Sequence, residues 1–202
     1  LRMLGKDHES TLTSMTSLSQ VLKQLGRLPE AEQLARQALA GQRRVLGDHR
    51  STLISMSSLA QVFKAQGKHS EAEPLYRECL EGSRRTLGPE HPDTLAYMSN
   101  LAVFFSEQGK LAEAEALYHE ALGIKRRIHG SKHASTLTTI CNLGTCLREQ
   151  GQLAASEPLL QEALDGRLAT LGKQHPDTLD SIKLLAILRH MALKDTALMV
   201  FD

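Results

Sequence analysis

Apolar positions along this chain fall into a stripe that recurs, broken by glycines. Around the middle of the sequence they lie at Leu95, Met98, Leu101, Ala102 and Phe105. This i, i+3, i+4 spacing predicts an amphipathic helix with one face to bury. Gln108-Gly109-Lys110 interrupts the stripe, and a second helical segment follows through Ala114, Ala121 and Leu122. Counted from Thr94, the same offsets fit Thr11, Thr52 and Thr136, and less well Thr178, so the threonines stand 41, 42, 42 and 42 residues apart. Self-similarity at such a period marks a tandem array of one two-helix unit. The units divide as 7–47, 48–89, 90–131, 132–173 and a partial, degenerate 174–202, with 1–6 read as the tail of a preceding repeat.

The first helix of each unit is predicted near 11–25, 51–66, 93–108, 135–150 and 177–192. Gly26, Gly67, Gly109 and Gly151 end four of them as left-handed caps. The second helix starts two or three residues later, with Glu30-Ala31-Glu32, Glu71-Ala72-Glu73 or Glu113-Ala114-Glu115 in its first turn. Carboxylates there suit the positive end of the helix dipole, and the alanine between them allows close helix approach. Arg43-Arg44, Arg84-Arg85 and Lys125-Arg126-Arg127 favour the opposite end. A single unit leaves its apolar face uncovered, so neighbours must stack to build a core. The expected fold is all-α, a right-handed α-α superhelix (solenoid) whose concave wall is lined by the first helices.

The pieces His91-Pro92-Asp93-Thr94-Leu95, Asn100-Leu101-Ala102, Gln108-Gly109-Lys110, Glu113-Ala114-Glu115 and Leu87-Gly88 carry a family likeness. With leucine, small residue, glycine and alanine at these offsets, the unit resembles the tetratricopeptide repeat. Its length is similar to that of the kinesin light chain subclass rather than the usual unit of about 34 residues. The resemblance implies a protein–protein interaction scaffold, a kinesin light chain-like adaptor that binds an extended peptide in its concave groove. The alternative is a structural spacer or oligomerisation module of a larger signalling protein.

Composition narrows the remaining choices. A net charge of +1 invites neither nucleic acid nor membrane, and aromatics, at 3%, supply no base-stacking platform. No apolar run reaches the ~18 residues of a membrane span. No phosphate loop, nucleophile elbow or metal-spaced pair occurs, so the chain is read as a non-enzyme without cofactor, metal site or catalytic residue. His8, His49, His91, His133 and His175 recur once per unit. They lie too far apart to share one ion and are assigned to helix starts, where Ser10, Ser51, Asp93, Ser135 and Asp177 are expected to cap. His129, standing where other copies carry leucine, is assigned to packing. Cys79 and Cys146 occupy core slots, whereas Cys141 is placed on the ligand face with no cation at helical spacing. Reduced thiols and a cytoplasmic location follow from this odd, unpatterned set.

Candidate ligand contacts are the first-helix residues that point away from the second helix: Ser58, Gln61, Ser99, Asn100, Val103, Glu107, Asn142, Thr145 and Glu149. Asn100 and Asn142 match the position where the family resemblance implies a bond to peptide backbone, and an amide offers donor and acceptor together. These residues are small, polar and mildly acidic, so the expected partner is a protein or peptide segment that is neutral or weakly basic. A clamp for an acidic C-terminal tail requires cations at such places, and Lys183 alone qualifies. The fifth unit departs from the pattern: Leu184 and Arg189 break its stripe, and Leu193 replaces the turn glycine. An apolar edge is therefore expected there, with end-to-end self-association of chains.

Overall fold

The computed structural model describes residue 5, residues 7–47 and residues 49–200, with side chains through residue 194. The predicted tail at 1–6 therefore lies almost wholly outside the described residues. Nine helices form, and no strand occurs among the described residues. They are α1 (Glu9–Gln24), α2 (Leu28–Leu46), α3 (Arg50–Ala65), α4 (His69–Thr86), α5 (Pro92–Glu107), α6 (Leu111–His129), α7 (Ala134–Glu149), α8 (Leu153–Leu171) and α9 (Pro176–Val200). Odd-numbered helices are the predicted first helices, each starting one or two residues earlier than the pattern placed it. The architecture is an all-α repeat solenoid.

Contacts divide the chain into two units, residues 1–101 and 102–202, with the division inside α5. In the first unit α1 packs on α2 and α3, α2 on α3, and α3 on α4. In the second, α7 packs on α6 and α8, and α8 on α9. Each core mixes large and fully buried small residues. Ala31, Ala60, Ala72, Ala102, Ala114 and Ala163 have no exposed surface. Where a hydroxyl stands in this seam it bonds across it: Ser19 Oγ donates to Ala31 O at 2.7 Å, and Ser156 Oγ donates to Gly144 O at 2.6 Å. Such bonds form only where two helix backbones come close, which is why these positions stay small.

The turn glycines adopt the left-handed conformation expected of them, for example Gly109 at φ 72°. In the fifth unit Leu193 stands where that glycine should be, and α9 runs on without a turn to Val200. An L-residue resists the left-handed region, so the helix continues instead.

The recurrent histidines start the first helices, as expected, but their own rings do the capping. In all five copies Nδ1 accepts the backbone N–H two residues on, at 3.1–3.3 Å. The serines and aspartates assigned as caps instead supply that N–H. The His129 ring stacks on the His133 ring at 4.5 Å between centroids, a packing role.

Charged residues of the second helices also pair with one another. Within the first unit Arg36 pairs with Glu71 at 3.1 Å and Arg43 with Glu78 at 2.6 Å, and within the second Arg126 pairs with Glu162 at 2.6 Å. Each joins consecutive second helices. Arg50 likewise holds Asp93 at 2.5 Å, and its hydrogen bond keeps the Asp93 carboxyl below the usual range. A depressed carboxylate stabilises the fold above its unfolded pKa of about 3.9, and that contribution is lost as pH falls through the folded value. Asp93→Asn is therefore expected to cost about 0.5–1 kcal/mol at pH 7 and progressively less below pH ~4, as read by urea unfolding at both pH values.

Candidate functional site

In the second unit, the last turns of α5 and the exposed side of α7 flank a cleft of about 580 Å³. Its lining includes Val103, Glu107, Asn142, Thr145 and Glu149, five of the nine residues expected to contact a ligand. The helix period explains the grouping: residues three or four apart on one helix share a face. Ser106 and Tyr118 also line it, and neither was expected from the sequence. Tyr118 belongs to α6 and is 2% exposed, so it forms the floor. Burial, and then the neighbouring Cys146, Glu149 and Glu107, push its phenol above the ordinary tyrosine range. It stays a neutral hydroxyl there.

The polar groups of the cleft are largely acceptors. Ser106 Oγ donates to Glu149 Oε2 at 3.5 Å, and Arg148 Nη2 donates to Oε1 at 3.4 Å. Thr145 Oγ1 gives its hydrogen to Cys141 O at 2.9 Å and retains only lone pairs for a ligand. The half-buried Asn142 amide engages no partner among the described residues. It can offer an N–H pair and a carbonyl oxygen at once.

The other expected residues lie in the first unit. Asn100 is half-buried, and Ser99 Oγ turns back to Leu95 O at 2.8 Å. Gln61 Oε1 accepts from Lys23 Nζ at 2.7 Å. Ser58 must be dropped as a ligand contact: it is only 2% exposed, because its short side chain does not reach past its neighbours. Cys141 also departs from expectation, at 5% exposed rather than on the ligand face. A cation does approach it, from the next helix, with Arg167 Nη1 3.8 Å from Sγ. Burial outweighs that charge and raises the thiol above its ordinary range, as it does for Cys79 and Cys146. None of the three is an activated thiolate. Lys183, the one exposed cation on this face that the sequence singled out, pairs with Asp180 at 3.2 Å.

Gln42, Ser83, Lys125 and Arg167 were also missed. They are equivalent residues of the four second helices, and all are buried. Lys125 Nζ donates to Thr139 Oγ1 at 2.8 Å. Burial pulls its ammonium below the usual lysine range. Arg167 Nη1 donates to Asp177 O at 2.9 Å and Ser181 Oγ at 2.8 Å. Thr139 and Ser181 are themselves equivalent, so the register repeats this buried polar contact from the third repeat to the fourth and from the fourth to the fifth. The available signal was that this position varies between otherwise similar copies.

The tetratricopeptide repeat profile matches residues 24–85, 51–126, 94–169 and 135–201, in overlapping copies that cover most of the chain. The chain belongs to the tetratricopeptide repeat family. Solved tetratricopeptide structures agree. The nearly identical TPR-like repeats of a kinesin light chain candidate from Podosopora anserina share 29% identity, covering 94% of this chain and 90% of that one, with a TM-score of 0.82. A single-substitution variant of the same protein gives 28%, 96%, 92% and 0.83. BtubC (BKLC) from P. vanneervenii shares the fold at 22% identity, covering 91% of this chain and 74% of that one, with a TM-score of 0.80. No curated protein matches the sequence. No described helix is long and apolar enough to cross a membrane.

Proposed function

We propose that this tetratricopeptide array is a kinesin light chain-like adaptor that holds an extended, neutral or weakly basic peptide segment of a partner along its first helices. A tetratricopeptide array is a protein-interaction scaffold and typically non-catalytic. The observation that carries the finer reading is the unengaged Asn142 amide, set in a cleft with Glu107 and Glu149. An extended peptide presents backbone N–H and C=O groups that match a side-chain amide, and the two carboxylates favour a partner with positive charge. Asn100, half-buried on α5, offers a second amide of the same kind.

From a panel of ten-residue peptides of different charge, capture should fall in the order basic, neutral, acidic. Asn142→Ala is expected to weaken the captured peptide about tenfold by calorimetry, with the helical circular dichroism unchanged. Glu149→Gln should narrow the gap between basic and acidic peptides. Equal binding by wild type and Asn142→Ala would remove the assignment.

The spacer or oligomerisation reading draws on exposed apolar side chains: Leu18 and Val21 on α1, Leu25 just beyond its end, and Leu179 and Ile182 on α9. Light scattering over a concentration series distinguishes it, since a chain that remains monomeric throughout leaves only the peptide scaffold.

A further inference from the structure

The leucine after each recurrent threonine packs on the second helix of its own repeat: Leu12, Leu53 and Leu137 lie against Gly41, Gly82 and Gly166. One turn on, Met56 and Ile140 are buried on the same side. One further turn brings the small positions Ser19 and Gly144, which bond to second-helix residues at Ala31 and Ser156. In the fifth repeat this stripe reads Leu179, Ile182 and Ala186, and it is open. Leu179 is 44% and Ile182 42% exposed, where Leu53 and Met56 are each 2%. Ala186 is exposed as well. The cause is local: α9 passes Leu193 without turning and runs straight to Val200, so among the described residues no second helix folds back onto it. Leu193, 69% exposed, prolongs the stripe. What such a stripe takes elsewhere in this fold is the face of a helix.

The charges along α9 say which helix. Asp177 and Asp180 stand in its first turns, whereas Arg189, His190 and Lys194 follow its midpoint, all of them exposed. A second α9 laid parallel would set acid beside acid and base beside base. Laid antiparallel, each acidic end meets a basic one. The apolar residues have the matching symmetry, since Leu179 lies seven residues before Ala186 and Leu193 seven after. At 1.5 Å per residue these are about 10 Å on either side of the alanine. A two-fold axis past Ala186 therefore sets Leu179 of one copy against Leu193 of the other, and Asp180 within a turn of Lys194 and His190. Ala186 is the equivalent of Ser19 and Gly144, the positions where this fold brings helix backbones close. Arg189 is drawn off the seam, onto Glu157 at 2.9 Å and Gln161 at 3.2 Å on α8.

We propose that α9 is a self-pairing helix: two copies of this chain join antiparallel along Leu179, Ile182, Ala186 and Leu193, crossing at Ala186. The same patch serves on both copies, as a two-fold interface requires. The second copy supplies in trans the helix that the first four repeats carry themselves. Self-pairing through α9 rests on the oligomerisation reading and gives it a surface and a partner. The Asn142 cleft takes no part in the seam.

Sedimentation of the full chain over a micromolar concentration series should show a monomer–dimer equilibrium. Ala186→Glu, at an exposed position, should abolish the dimer with helical circular dichroism unchanged, and Leu18→Glu on α1 should leave it intact. Asp180→Lys should weaken the dimer about fivefold, and adding Lys194→Asp should restore it. Crosslinking reads the direction. Cys79, Cys141 and Cys146 are buried, so an added surface thiol is the one open to mild oxidation. Ala186→Cys should give a covalent dimer. Leu179→Cys alone should not, because its two copies stand about 20 Å apart, but a mixture of Leu179→Cys and Leu193→Cys should. A dimer that survives Ala186→Glu, a loss not restored by Lys194→Asp, or ready crosslinking of Leu179→Cys alone overturns the antiparallel α9 seam and leaves oligomerisation standing. A chain that stays monomeric overturns both.

Discussion

Replacing Ala31 by leucine is expected to cost about 3 kcal/mol, the high end of overpacking penalties, and to uncouple the first helix pair from the rest of the unfolding transition. Ala31 has no exposed surface and packs with Leu22 and Val62. Its carbonyl receives the Ser19 hydroxyl at 2.7 Å, so the α1 backbone stands directly opposite. A leucine there has no void to fill, and three extra carbons must push α1 and α2 apart. The displacement also breaks the Ser19 bond, leaving a buried hydroxyl unpaired. Urea unfolding should show a lower first midpoint. An Ala31→Gly control should cost about 2 kcal/mol, the helix propensity difference plus one buried methyl.

Tyr97 yields the second large effect. It is α5's equivalent of Thr139 and Ser181, and the repeat register predicts that it stands opposite Ser83, the smallest of the four buried residues. On that register, small Ser83 with large Tyr97 is expected to fill the space that Lys125 with Thr139, or Arg167 with Ser181, fills elsewhere. Tyr97→Thr should open a cavity and cost about 3 kcal/mol. Adding Ser83→Lys should recover about 1 kcal/mol by recreating the Lys125–Thr139 bond, although Ser83→Lys alone, crowded by tyrosine, should destabilise. A double-mutant cycle reads the coupling. Additive costs would mean that the two residues do not share the space.

The sequence announced the repeat plainly, because a two-helix unit must reuse the same small residues and turn glycines each time it stacks. Helix starts fell within two residues of the pattern, and Gly109 shows why the ends of the first four first helices did too; α9, with Leu193 in place of the glycine, runs past its expected end to Val200. The cleft was half legible. Val103, Glu107, Asn142, Thr145 and Glu149 follow from helical spacing on the first helices alone. Tyr118 and Ser106 do not, because a floor contributed by the second helix depends on packing depth. Ser58 and Cys141 show the same limit from the other side: they hold the right positions on the helix, yet neighbours cover them. Gln42, Lys125 and Arg167 were hidden because a polar residue near a helix end reads as solvated until its burial is known. The histidine caps were legible as helix starts, but not as the capping atoms, since the serine or aspartate two residues on is the commoner cap.

On the proposed function, a partner peptide lies on the first helices. Amide chemical-shift mapping of the ¹⁵N-labelled chain, saturated with the tightest peptide of the panel, tests it most directly. The largest changes are expected at Val103, Glu107, Asn142, Thr145 and Glu149, with the outer residues of α6 and α8 unmoved. Changes concentrated on Glu113, Glu120 and Glu162 of the second helices, with Asn142 unshifted, would contradict it.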